Sequence, residues 1–246
     1  MREAGLVTLY AKELRLPTVG HYQEVIRQAK EQGLSYEGFL VELLSREVAN
    51  RKQNQLRRRI RQAKFPMVKS LDNFEFDLLP HLSEALVWEL ATSDFITRKE
   101  NIVLIGPPGT GKSHLTLALG YKACEHGHSV RFFTAAGLVN QLVEAQEQKR
   151  LSRLEDRLAK TNLLIVDELS YVSFPRQGAE LLFQVISERT ERSSTVITTN
   201  LDFSRWDEVF GDTMLAAALV DRLTYRSHIL NMNAESYRLK RGTKAK

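Results

Sequence analysis

Apolar and polar positions change their period along this chain. From residue 101 onward, short β-branched and aliphatic runs alternate with longer stretches of helical period. The runs 102–105, 129–134, 162–166, 195–199 and 228–232 predict strands. They are nearly continuously apolar, as strands buried on both faces are. The helical stretches between them predict crossovers that cover a parallel sheet on both sides. Between the second and third strands, 135–160 predicts two helices, apolar on one side over 136–146 and mostly charged over 148–160. Arg150, Arg153 and Arg157 share a face of the second, with Glu155 and Asp156 offsetting their charge. A plain exposed helix and a DNA-facing one fit that pattern equally.

Before residue 65 the pattern is helical throughout. Leu6, Leu9 and Tyr10 predict a short amphipathic helix. Thr18 is placed to cap a second, with Tyr22, Val25, Ile26 and Ala29 inside and Gly33 as the stop. Ser35 is placed to cap a third, with Glu37 near its first turn and Phe39, Leu40, Leu43 and Leu44 as its apolar positions. That helix can run on through residue 64, where Leu56, Ile60 and Ala63 recur beside a stripe of Arg57, Arg61 and Lys64. Phe65-Pro66 ends the region. Residues 67–80 read as an extended connector with Phe74 and Phe76 alternating, laid across the next domain. Residues 81–97 predict a helix carrying Leu82, Leu86, Trp88 and Leu90. The expected organisation is a small all-helical domain over 1–66 and an α/β domain over 67–246.

Charge changes this picture. The net charge is +5, but residues 46–64 hold eight cations against the single acid Glu47, a local +7 that leaves −2 for the rest. Arg51, Lys52, Arg57, Arg58, Arg59, Arg61 and Lys64 lie there, and none of them has an acid at i+4 to neutralise it. A charge run is commonly a solvated face; the one-sign excess points instead to a phosphate backbone. A second basic run, Arg238, Lys240, Arg241, Lys244 and Lys246, closes the sequence. No apolar run approaches the roughly 20 residues that span a bilayer, and no signal-peptide core follows Met1, so the expected location is cytoplasmic. The single cysteine, Cys124, excludes an internal disulfide and reads as a buried small residue. The histidines show no metal-ligand spacing.

The chemistry is concentrated in the second half. Gly106-Pro107-Pro108-Gly109-Thr110-Gly111-Lys112-Ser113 matches the loop that cradles nucleotide phosphates, between an apolar run and a helix opening at His114. Glycines let backbone N–H groups turn inward, and the helix N-terminus adds positive charge. Lys112 would reach the β- and γ-phosphates and Ser113 would ligate Mg²⁺. The strand 162–166 runs into Asp167 and Glu168. Asp167 would hold Mg²⁺ through water, and Glu168 would orient or deprotonate the attacking water. A third apolar strand ends at Asn200, a group for the γ-phosphate or the water, or else a turn residue. Positive charge for the transferring phosphoryl would come from Arg189, Arg192, Arg205, Arg222 or Arg226. Arg222, at a helix end beside Asp221, is the preferred candidate; a surface ion pair with Asp221 is the alternative.

In their order these pieces resemble the AAA+ ATPases, and more narrowly the IstB-type insertion-sequence helper ATPases, relatives of the helicase loader DnaC and the initiator DnaA. The residues that carry the resemblance are GPPGTGKSHL at 106–115, LLIVDEL at 163–169, VITTN at 196–200, VDRL at 220–223 and SYR at 236–238. The resemblance implies a five-stranded AAA+ P-loop domain and an ATPase that uses ATP and Mg²⁺. It further implies self-assembly on double-stranded DNA with ATP sites shared between subunits, and recruitment or activation of a cognate transposase. A helicase loader with the same core is the runner-up; a small-molecule kinase and a non-hydrolysing DNA clamp are the other classes. By resemblance Asn200 is the first sensor and Arg222 the trans-acting finger. Only 14 residues follow Met232, so the usual helical lid is expected to be missing, and Arg238 is either a second sensor or a DNA contact.

Overall fold

The computed structural model describes residues 2–171 and 173–234. Arg238 and the closing basic run lie outside the described residues. The chain forms two compact units, 1–58 and 59–246.

The first unit is helical: α1 (Arg2–Glu13), a 3-10 turn (Val19–His21), α2 (Tyr22–Gln32) and the start of α3 (Tyr36–Ala63). Gly33 stops α2 as expected, in the left-handed region at φ 64°. Ser35 caps α3, its hydroxyl accepting from the Gly38 amide at 3.1 Å. Thr18 departs from expectation. It does not cap α2, which begins at Tyr22. Its amide instead donates to Glu47 at 2.8 Å, and its hydroxyl accepts from Asn50 at 2.9 Å. These bonds tie the turn to α3, and no local pattern encodes partners about thirty positions away. Ala11, Val25, Ala29 and Leu43 form a small core, while Leu6, Leu9 and Tyr10 are exposed.

The second unit opens with the last turn of α3, where Ala63 is buried, and continues into the connector. Phe65 meets Phe132 edge-to-face at 6.5 Å. The connector contains two 3-10 turns, Leu71–Asn73 and Phe76–Leu78. The single helix expected over 81–97 is two, α4 (Glu84–Ala91) and α5 (Asp94–Thr97). The break is at Ser93, left-handed at φ 69° and buried, whose hydroxyl sits 3.1 Å from His126 Nδ1.

The remaining elements are β1 (Asn101–Ile105), α6 (Lys112–Glu125), β2 (Val130–Thr134), α7 (Ala135–Glu147), α8 (Leu151–Ala159), β3 (Leu163–Asp167), α9 (Arg176–Arg189), β4 (Ser194–Thr199), α10 (Asp207–Phe210), α11 (Thr213–Thr224) and β5 (Ser227–Asn231). The strands form one parallel sheet in the order β2-β3-β4-β1-β5. In β3, Leu163, Leu164, Ile165 and Val166 are all fully buried. Burial at about 1.5–3 kcal/mol per side chain fixes the depth of that strand, and so the point where Asp167 emerges. On one face, Leu138, Leu142, Leu158, Leu182, Trp206 and Leu219 share a core that joins α7, α8, α9 and α11. On the other face α6 packs against β2, β3 and β4. Because β4 lies between β1 and β3, its tip stands between the two loops that follow those strands. That carboxyl edge is where open parallel sheets bind ligands.

Candidate nucleotide site

The phosphate loop leaves β1 at Gly106. A Cβ here would lie 2.6 Å from the Met232 carbonyl carbon, so only glycine allows the chain to pass so close. Gly111, at φ 94°, turns the loop into α6. Thr110 is buried and donates to the Pro107 carbonyl at 3.0 Å, which closes the loop on itself. The Lys112 ammonium donates to the carbonyls of Gly106 at 2.6 Å and Pro107 at 2.7 Å. Its charge is thus held over the concave side of the loop.

Asp167 is the meeting point of three elements. Its Oδ1 accepts from Ser113 Oγ at the start of α6, at 3.1 Å, and from Thr198 Oγ1 in β4. The Thr198 hydroxyl in turn accepts from the Glu168 amide at 2.9 Å, and the Thr198 carbonyl accepts from Leu169 N–H at 3.0 Å. Ser170 Oγ accepts from the Asn200 amide at 2.9 Å. The turn after β3 is therefore held to the tip of β4 along its length. Glu168 itself is left-handed at φ 61°, a conformation that costs a non-glycine residue energy and that clusters at functional sites.

Lys112, Ser113, Asp167, Glu168, Thr198 and Asn200 all line one cavity of about 570 Å³. Pro108, Gly109, Gly111 and His114 of the loop line it too, while Thr110, Gly111 and His114 also face a neighbouring cavity bounded by the connector. Gly106 and Pro107 are not in the cavity wall; they act through the carbonyls that hold Lys112. The connector supplies part of the wall, with Pro66, Met67 and Lys69 on one cavity and Phe74 on the other. Phe74 sits against Gly111 and meets His114 edge-to-face at 5.4 Å, and His114 Nε2 lies 2.9 Å from the Ser70 carbonyl. The bare sequence reading placed the connector across this domain but missed Thr198 and this wall. The signal for Thr198 was a paired threonine at the end of the strand that reaches Asn200.

The sequence matches the family of IstB-like ATP binding proteins over residues 9–245. The chain belongs to that family. IstB-like relatives include the ATP-binding protein of insertion sequence IS21 from Pseudomonas aeruginosa, 40% identical over 92% of this chain and 85% of that protein. The ATP-binding protein of insertion sequence IS5376 from Geobacillus stearothermophilus is 38% identical over 94% of this chain and 92% of that one. The fold is AAA+. It is similar to AMPPCP-bound DnaA from Aquifex aeolicus, with a TM-score of 0.58 at 18% identity over 74% of this chain and 55% of that one. It is also similar to the DnaC helicase loader, with a TM-score of 0.53 at 20% identity over 60% of this chain and 86% of that one.

The arginines separate sharply. Arg189 is 2% exposed and donates to the Leu158 carbonyl, to the Ser194 carbonyl at 2.7 Å and to Thr195 Oγ1 at 3.2 Å. Burial pushes its guanidinium down to about 9, still charged at neutral pH. It is a strut between α8 and β4, which corrects its candidacy as a phosphoryl-stabilising residue. Arg205 is committed to Glu208 through two bonds, at 2.8 and 3.0 Å. Arg222 does not line the cavity of its own chain; it lies over the Phe183 ring, 4.9 Å from the centroid, and donates to the Ala218 carbonyl. The expected alternative, an ion pair with Asp221, is not formed.

The basic segment also divides. Arg51 is exposed and at the same time engaged within its unit, holding Glu47 at 2.8 Å and the Arg15 carbonyl at 2.6 Å. Arg59 is half-buried and close to Gly127. Lys52, Arg57, Arg58, Arg61 and Lys64 are exposed. Among the described residues no group of three or more His, Cys, Asp or Glu could hold a metal ion, and no helix is long and apolar enough to cross a membrane. Cys124 is buried, as expected, and desolvation pushes its thiol up to about 12.

Proposed function

We propose that this chain hydrolyses ATP, self-assembles on double-stranded DNA and recruits or activates the transposase of its element. The observation that carries the hydrolytic reading is the convergence of Ser113 and Thr198 on Asp167, with Glu168 and Asn200 on the same cavity as Lys112. A protein that only held nucleotide would have no use for a second carboxylate and an amide facing the phosphate loop.

Lys112 leaves the loop carbonyls for the β- and γ-phosphates, so the loop is pre-charged before nucleotide arrives. Ser113 and Asp167 are the residues that would hold Mg²⁺, which when bound neutralises charge on the β- and γ-phosphates; their oxygens already lie 3.1 Å apart. Glu168 takes the proton of the attacking water, and Asn200 orients that water or the γ-phosphate. Arg222, away from the cavity of its own chain, serves the site of a neighbouring subunit. Lys52, Arg57, Arg58, Arg61 and Lys64 contact DNA phosphates, which gives affinity without sequence preference.

Mixing tests this reading. Arg222→Ala retains a complete carboxylate pair but lacks the finger; Glu168→Gln retains the finger but lacks the base. Each alone is inactive, and a mixture recovers DNA-stimulated phosphate release because one subunit's Arg222 completes another's site. No recovery on mixing means that Arg222 does not act in trans. Pull-down with the transposase, in ATP and on DNA, tests the partner; capture of a replicative helicase instead assigns the loader role.

A further inference from the structure

Two cavities meet at the phosphate loop, and Gly111, His114 and Lys69 face both of them. Gly111 and His114 belong to the loop and the first turn of α6. Lys69 comes from the connector and has no part in the hydrolytic constellation of Lys112, Ser113, Asp167, Glu168 and Asn200. It is half-buried, and among the described residues no hydrogen bond or ion pair engages its ammonium. A lysine packs its stem against a wall and keeps its charged head free to move. We infer that Lys69 is a nucleotide-binding residue, whose ammonium closes from the connector side on the α- and β-phosphates of a nucleotide in the loop. The inference rests on nucleotide lying in this loop, and not on its hydrolysis or on DNA.

Position along the loop selects those phosphates. In a loop of this type the backbone N–H groups cradle the α- and β-phosphates, while the lysine reaches the β- and γ-phosphates and the hydroxyl takes Mg²⁺. Lys112 and Ser113 face the cavity of Asp167, Glu168 and Asn200, and not the neighbouring one. Lys69 shares with Gly111 and His114 the boundary between the two. It therefore stands at the end of the polyphosphate away from the catalytic acids. Charge agrees with this placement. On the wall of the loop cavity Lys69 and Lys112 are balanced by Asp167 and Glu168, so a bound triphosphate, anionic even with Mg²⁺, meets no excess of acid. Lysine binds phosphate as a point charge on a mobile stem. Asp72 and Glu75 line the neighbouring cavity, where acids disfavour a phosphate. The anion that Lys69 meets thus lies on the loop side.

The backbone beside Lys69 is already set. The Ser70 carbonyl accepts from His114 Nε2 at 2.9 Å. The Ser70 hydroxyl accepts from the Asp72 amide at 3.2 Å and donates to the Asp72 carboxylate at 2.6 Å. Further on, Phe74 packs so closely on Gly111 that a Cβ there would lie 3.0 Å from its ring. Only the side chain of Lys69 has to swing, which keeps the cost of ordering low. The connector is pinned to α6 at Ser70 and closes on nucleotide at Lys69. A filled loop therefore tightens the segment that leads out of the last turn of α3.

The test reads binding by the full chain, without turnover. In titration calorimetry Lys69→Gln is expected to weaken ATP and ADP alike, by about tenfold or more, and Lys69→Arg to keep most of the affinity. Equal loss for both nucleotides places the ammonium on the phosphates they share. A lysine-acetylation footprint of the wild type, read by mass spectrometry, needs no variant. ATP and ADP are each expected to shield Lys69 and to leave Lys64, exposed and outside both cavities, as reactive as before. Unchanged affinity in Lys69→Gln, a loss confined to ATP, or a Lys69 shielded by duplex DNA and not by nucleotide overturns the inference. A wild type that binds neither nucleotide removes the assignment of the loop and this inference with it. Where Lys112→Ala loses ATP and Lys69→Gln binds like the wild type, the loop assignment stands and only the inference falls.

Discussion

The Thr198 hydroxyl joins the two acids of the site: it donates to Asp167 Oδ1 and accepts from the Glu168 amide at 2.9 Å. It thereby fixes the carboxylate that faces Ser113 and the backbone of the residue assigned to the water. Thr198→Val keeps the shape and strand preference but removes both bonds and leaves the part-buried Glu168 amide without its partner, at about 1–3 kcal/mol. The expected result is phosphate release slowed about 10–100-fold with ATP affinity changed less than about threefold. Thr198→Ser restores the rate. If ATP affinity falls as far as the rate does, the threonine supports the loop as a whole and not the carboxylates.

Lys112 and Glu168 line one cavity but carry different parts of the task. Lys112→Ala is expected to abolish ATP binding, measured by titration calorimetry. Glu168→Gln, isosteric and uncharged, is expected to bind ATP normally and lose at least about 100-fold in turnover. Normal turnover by Glu168→Gln would move the general base elsewhere.

Arg189 is a structural cation, and lysine cannot replace it. Its planar fork reaches acceptors on α8 and β4 together, which a single ammonium does not. Arg189→Lys is expected to cost about 3 kcal/mol, or roughly 6–12 °C in melting temperature for a chain of this size. Calorimetry in the absence of nucleotide measures it.

Glu47 gives the first unit a dependence on pH. Burial pushes its carboxyl up, but hydrogen bonds from Arg51 and Thr18 outweigh it, and the net shift is below the ordinary 4.5. A lowered carboxyl stabilises the folded form above its unfolded pKa and loses that stability as pH falls through the folded one. Stability is therefore expected to be flat above pH 4.5 and to drop below it. Glu47→Gln is expected to be less stable at pH 7, by about 1.5–3 kcal/mol, with a shallower acid decline. Helix content followed against pH decides it.

The exposed cations of the basic segment make a prediction about salt. Replacing Arg57, Arg58 and Arg61 by glutamine is expected to lower the slope of log affinity against log salt by about 2.7 for duplex DNA. Replacing Arg51, already engaged with Glu47, is expected to leave the slope alone and lower stability. Filter binding at several salt concentrations distinguishes the two.

The strands were legible because they are buried on both faces, and burial writes itself as an unbroken apolar run. The loop at 106–113 was legible because phosphate contact demands glycines and a lysine at fixed spacing. Thr198 was not, since its role depends on β4 lying between β1 and β3, an order that local pattern does not carry. Ser93 escaped for the same reason: the apolar period runs through it, and what breaks the helix is a bond to His126 at the end of α6. The exposure of Leu40 and Leu44 was equally hidden, because an apolar residue reads alike in sequence whether or not its own core covers it.

The connector limits how the protein can be cut. Pro66, Met67 and Lys69 wall the cavity that holds Lys112, and Phe74 rests on Gly111, so the residues leading out of α3 are also part of the nucleotide site. A core fragment trimmed at residue 67 would place a fraying chain end in that wall. The second unit begins at Arg59, so a fragment that keeps this wall whole carries the last turn of the basic helix with it.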